Sequence, residues 1–200
     1  MKSHLSLALG TFQSGCTRAE GLCAIFHHLR RTAPAAMDCD DILRSAVVLA
    51  VSSFDLFIHD LFRLEVIHRI RTGKKVDIFK VPFNVLLQRD LERIESIEAC
   101  IREDNSYKSF VAPDKLASCL RPLVNDPWEK ISSCLVRTSS VAKAELKRVV
   151  DLRNRIAHEA DLNPALGGVE LWPIYREDVE TSVEFLRRLG AAIAKVLDDA

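Results

Sequence analysis

Residues 151–159 read D-L-R-N-R-I-A-H-E and close a helical pattern in which one arginine falls on the side that should be apolar. At roughly 100° per residue, Ala142, Leu146, Val149, Val150, Ile156 and Ala157 share a stripe, so a core-facing helix is expected over about residues 141–159. Arg153 lies in the middle of that stripe. A guanidinium does not deprotonate, so its burial requires an acidic partner, a phosphate or a water-lined cleft. Asn154 and His158 stand four residues apart on one flank of the same helix. Arginine, asparagine and histidine beside an apolar seam point to a site between helices.

Outward from this helix the pattern stays α-helical. A long spine is expected over about 41–72, with Val47, Val51, Phe54, Ile58, Leu61 and Phe62 as its stripe, Asp38 or Asp40 as its cap and Gly73 as its stop. A first helix is expected over about 12–31, ending before T-A-P-A-A and Pro34, and a last amphipathic helix over about 176–198. Residues 74–138 between them read as an irregular helical insertion. It begins with an extended V-D-I-F-K-V-P-F connection and a helix over about 84–103. Pro113, Pro122 and Pro127 then break the chain into short pieces, with Trp128 opening one of them. A loop with Pro164, Gly167, Gly168 and Pro173 follows the motif helix. The expected fold class is all-α, with residues 1–200 forming one domain.

Composition narrows the function classes. The hydrophobic fraction is 48% with seven glycines and seven prolines, which supports an ordered core rather than disorder. The formal net charge is zero, so a polyanion would have to be met by a local patch. Two such patches occur. Residues 143–155 hold Lys143, Lys147, Arg148, Arg153 and Arg155 against Glu145 and Asp151; residues 63–75 hold Arg63, Arg69, Arg71, Lys74 and Lys75 against Glu65. Taken alone, each reads as a solvated helix face. The six cysteines form no C-x-x-C pair and read as reduced thiols of a cytosolic protein. Leu5–Leu9 is too short for a signal-peptide core, and the apolar run from Ala46 meets Asp55 well short of a membrane span. The expectation is a cytoplasmic protein without a membrane partner. No H-E-x-x-H, G-x-S-x-G, phosphate-binding loop or dinucleotide glycine pattern is present, and adjacent His27 and His28 cannot share a helical face. No metal and no cofactor is therefore expected.

Spacing alone does not single out a site, because His68 also has an arginine, Arg63, five residues upstream. Arg63 falls roughly 160° from Val47, on the polar face of the long helix, and is read as a decoy. Asp55 and His59 border the core stripe of that helix, so Asp55 is a candidate acid to orient Arg153 or His158, or simply to pair with a buried Arg153. His158 near a helix C-terminus also complements the helix dipole without any reaction. Arg155 is expected to face solvent with Glu159 and Asp151 in reach. Lys147, Arg148 and Arg155 are candidate RNA contacts.

The run D-L-R-N-R-I-A-H-E-A-D resembles the HEPN superfamily, whose ribonuclease members carry arginine, a polar residue and histidine at this spacing. The long helix S-A-V-V-L-A-V-S-S-F-D-L-F-I-H-D-L-F and the closing R-E-D-V-E-T-S-V-E-F-L-R-R-L are similar to the RiboL-PSP subgroup. The resemblance implies an up-and-down helical bundle that dimerises through the motif-bearing helices and cleaves RNA without a metal ion. It implies Arg153, Asn154 and His158 as catalytic residues, a 2′,3′-cyclic phosphate and a 5′-hydroxyl as products, and the active site at the twofold axis of a homodimer. Family context further implies a toxin or phage-defence effector, with an antitoxin or regulatory protein as a partner. Two other readings stay open: a non-catalytic module that binds nucleotide or RNA or regulates a partner, and a structural adaptor in which Arg153 is salt-bridged inside the monomer.

Overall fold

The fold is packed around α2 (Asp40–Arg71). Its predicted stripe is buried along its length: Val47, Val51, Phe54, Ile58, Leu61 and Phe62 all lie in the core. The Asp38 carboxylate accepts the Asp40 N–H at 2.9 Å, and Gly73 ends the helix at φ 70°. In that conformation the Gly73 N–H reaches the Ile70 carbonyl and the Lys74 N–H the Arg69 carbonyl. The structure, a computed structural model, describes residues 1–34, 37–74, 76, 81–166 and 170–200. Lys75, residues 77–80 of the V-D-I-F-K-V-P-F connection and the Gly167–Gly168 pair lie outside the described residues.

α1 (Ser3–Thr32) runs antiparallel to α2 and begins well before the expected residue. Burial of Leu5, Ala8, Leu9 and Phe12 at helical spacing outweighs the weak helix propensity of Gly10, Ser14 and Gly15. Gly15 also permits the close approach of the two helices. A Cβ there would stand 2.4 Å from Ser53 Oγ. The last helix, α8 (Arg176–Asp198), lies on both α1 and α2, with Arg187 paired to Glu20 at 2.5 Å. Phe12, Phe54 and Phe57 interlock at the centre, with ring centroids 5.0–6.3 Å apart.

The insertion is more regular than expected. α3 (Phe83–Leu86) and α4 (Asp90–Asn105) replace the single helix predicted over 84–103. The break falls at Arg89, whose backbone is extended, and Asp90 and Glu92 then complement the new N-terminus. Pro113 and Pro127 do not merely interrupt. Each opens a helix, α5 (Pro113–Leu120) and α6 (Pro127–Leu135), where a missing N–H is harmless. Leu116, Leu120, Trp128, Ile131 and Leu135 from these helices join the main core, and α6 wedges between α8 and α7 (Ser139–Glu159).

α7 is capped by the Thr138 hydroxyl, which accepts the Val141 N–H. It packs antiparallel to α2, so its C-terminal end lies near the N-terminal end of the spine. The four long helices thus alternate in direction. Among the described helices, α2 has the length and apolarity to cross a membrane, but α1, α7 and α8 cover its apolar face, as befits a core helix. The six cysteines are free. Burial pushes the Cys16 and Cys23 thiols up to about 11 and Cys119 to about 12, so all three are uncharged near neutral pH.

Candidate active site

The apolar stripe of α7 is buried at Ala142, Leu146, Val149 and Val150 and then runs out. Ile156 is half-buried and Ala157 is exposed, so the last turn projects past the core. Arg153 sits at this border, half-buried, in line with Leu146 and Val150. Its Nε is buried without a hydrogen-bond partner. Among the described residues no carboxylate pairs with it.

The acid expected to serve it stands elsewhere. The Asp55 carboxylate accepts the Phe110 N–H at 2.9 Å and lies 3.8 Å from His59 Nε2. His59 in turn contacts the Lys108 carbonyl at 3.1 Å and the Phe110 ring. This corrects the reading of Asp55 as a supporting acid. Through Phe110 Asp55 faces the insertion, and no hydrogen bond or ion pair joins it to Arg153 or His158 among the described residues. The Arg63 and His68 pair is likewise committed: Arg63 bonds Asp60 and Glu98, and His68 stacks on His4 at 4.4 Å.

His158 is exposed, and Asn154 is half-buried on the same flank. No hydrogen bond joins Arg153, Asn154 and His158 to one another among the described residues. At roughly 100° per residue, His158 stands about 140° around the helix from Arg153, so one chain does not bring the two into contact. Asn154 also lines an open groove of about 830 Å³ on the far side of α7, with Lys147, Arg148 and Arg155 facing Tyr175 and Asp178. Lys147 is exposed and pairs with Asp151 at 2.5 Å; Arg148 is exposed and reaches Ser182 Oγ at 3.4 Å. Among the described residues no three His, Cys, Asp or Glu side chains converge.

Arg155 does not pair with Glu159 or Asp151 as expected. Its Nε bonds the buried Asp161 at 2.5 Å, and its guanidinium lies 5.1 Å from the centre of the Trp172 ring. As an RNA contact Arg155 is therefore restricted, because its Nε is held by Asp161 and its guanidinium lies over the Trp172 ring. Asp161 also takes Arg44 Nε at 2.7 Å. Neither Asp161 nor Arg44 was anticipated as part of this region. A signal existed: Arg44 falls roughly 60° from Val47, inside the apolar stripe of α2, where a charge needs a partner.

A family model described as RiboL-PSP-HEPN matches residues 25–199. No curated protein and no solved structure matches the chain.

Proposed function

The chain belongs to the RiboL-PSP-HEPN family, and on that premise we propose that it is a metal-independent endoribonuclease acting as a homodimer. Membership itself supports a HEPN-type ribonuclease or RNA-related module. The observation that carries the finer reading is Arg153: a permanently charged group on the core stripe, with a buried Nε and no acid to meet it among the described residues. A phosphate is the partner such a group lacks.

Cleavage through the neighbouring 2′-hydroxyl needs a base for that hydroxyl, an acid for the leaving 5′-oxygen and positive charge at the phosphorus. A second copy packed on the projecting end of α7 would bring two His158 side chains to one cleft. One neutral imidazole takes the 2′-hydroxyl proton while the other, protonated, gives one to the leaving oxygen. Arg153 grips the scissile phosphate with its planar fork, and Asn154 orients the phosphate or the imidazole. Lys147 and Arg148 hold flanking RNA. The cell-biological role that fits is a toxin or phage-defence effector in the cytoplasm, restrained by a partner protein.

The test is incubation of RNA with the purified protein in excess chelator, beside His158→Ala and Arg153→Ala, with solution mass measured in parallel. The proposal expects a dimer and loss of cleavage in both variants. Bound but intact RNA would favour the non-catalytic module. A strictly monomeric protein, or cleavage that survives either substitution, would remove the mechanism.

A further inference from the structure

We propose that Asp161 is a positioning residue, the centre of a buried clasp that fixes where the last turn of α7 carries His158. The proposal rests on the ribonuclease reading of His158. Asp161 has no exposed surface, and its two carboxylate oxygens serve different helices. Oδ1 accepts Arg155 Nε at 2.5 Å from α7, and Oδ2 accepts Arg44 Nε at 2.7 Å from α2. The backbone completes the clasp. The Asp161 N–H donates to the Arg155 carbonyl at 3.1 Å, and the Asp161 carbonyl accepts the Trp172 N–H at 2.9 Å. Arg44 Nη2 donates to the Trp172 carbonyl at 2.7 Å, and the Arg155 guanidinium lies over the Trp172 ring. One buried carboxylate thus ties the spine, the motif helix and the segment leading to α8.

This is more than a helix end requires. Helices that end in the left-handed region usually do so on a glycine, whereas here Ala160 and Asp161 adopt φ 50° and 57°. At Asp161 the contacts hold that conformation, since both carboxylate oxygens, the N–H and the carbonyl are all engaged. The consequence falls on His158. Its ring is exposed and has no side-chain hydrogen bond or ion pair among the described residues, so its place is set by the backbone of the last turn. Arg155 belongs to that same turn, and Asp161 holds it by both its carbonyl and its guanidinium. Without the clasp the turn frays and His158 leaves the geometry that proton transfer needs.

Backbone amide exchange and RNA-cleavage kinetics of the wild-type protein, Asp161→Asn and Arg155→Lys test the proposal. In both variants the amides of residues 156–159 should exchange about tenfold or more faster while α2 core amides around Phe54–Leu61 stay unchanged. kcat should fall by about ten- to a hundredfold with KM within about threefold, the smaller loss in Arg155→Lys. Should Asp161→Asn fail to fold, Arg155→Lys decides by the same criteria. The proposal is overturned if the last turn is no more accelerated than α2, or if a frayed last turn leaves kcat at the wild-type value. A wild-type protein that cleaves no RNA would instead sink the ribonuclease reading and the positioning role with it, while the amide exchange would still report on the clasp.

Discussion

Replacing Arg153 with methionine should abolish RNA cleavage and leave the fold more stable than before. A buried donor on a charged group without an acceptor costs about 1–3 kcal/mol, and Arg153 Nε is such a donor. Methionine keeps an unbranched stem of similar reach over Leu146 and Val150, so most of the apolar cover is retained. The rest of the guanidinium reaches solvent, which places the net gain near the lower bound, about 1 kcal/mol, or ~2–4 °C in Tm for a chain of this size. Urea unfolding followed at several protein concentrations measures it, since a dimer makes the midpoint concentration-dependent. Arg44→Met supplies the contrast. It removes an arginine from the equivalent face of α2 but strips Asp161 of one partner, and should cost about 3 kcal/mol. If Arg153→Met lost stability on the same scale as Arg44→Met, Arg153 would be a structural ion-pair residue and its assignment to phosphate would be wrong.

Two further outcomes follow from local geometry and charge. Val136 closes α6 at φ 55° with 91% of its surface exposed, so Val136→Gly should stabilise the protein by about 1 kcal/mol in thermal unfolding, and no change would mean that the turn is unstrained. Glu65 is fully buried at the other end of the bundle. Burial raises its carboxyl, but Arg69, His4 and Lys2 outweigh this and hold it below 4.5. The folded state then binds this proton less readily than the unfolded one. Its stabilisation is complete above about pH 4.5 and fades as pH falls through the lowered value. Glu65→Gln should therefore be weaker than wild type near neutrality and converge with it in acid; parallel curves across that range would exclude the linkage.

The helices were legible where burial and helical period coincide, as along α2 and α7. The start of α1 was not, because Gly10, Ser14 and Gly15 are poor helix formers that only the tertiary contact with α2 and α8 keeps helical. Helical phase flagged Arg153, yet the same test applied to α2 also flags Arg44, Glu65 and Arg69, which fall roughly within 60° of Val47. All three are buried, and all three have partners: Arg44 with Asp161, Glu65 with Arg69 and His4. Misplaced charge is therefore the sign of a network in this chain, and the absence of a partner is what sets Arg153 apart. That absence depends on which residues distant in sequence come together. Asp161 and Trp172 reach Arg155 only because the chain turns back after α7, so no helical count could have identified them.

End-group analysis of the RNA fragments formed in excess chelator tests the central claim most directly. Attack by the 2′-hydroxyl, with His158 as base and acid and Arg153 on the phosphate, leaves a 2′,3′-cyclic phosphate on one fragment and a 5′-hydroxyl on the other, and both disappear in His158→Ala. Fragments ending in 5′-phosphate, or a chelator that stops the reaction, would contradict it.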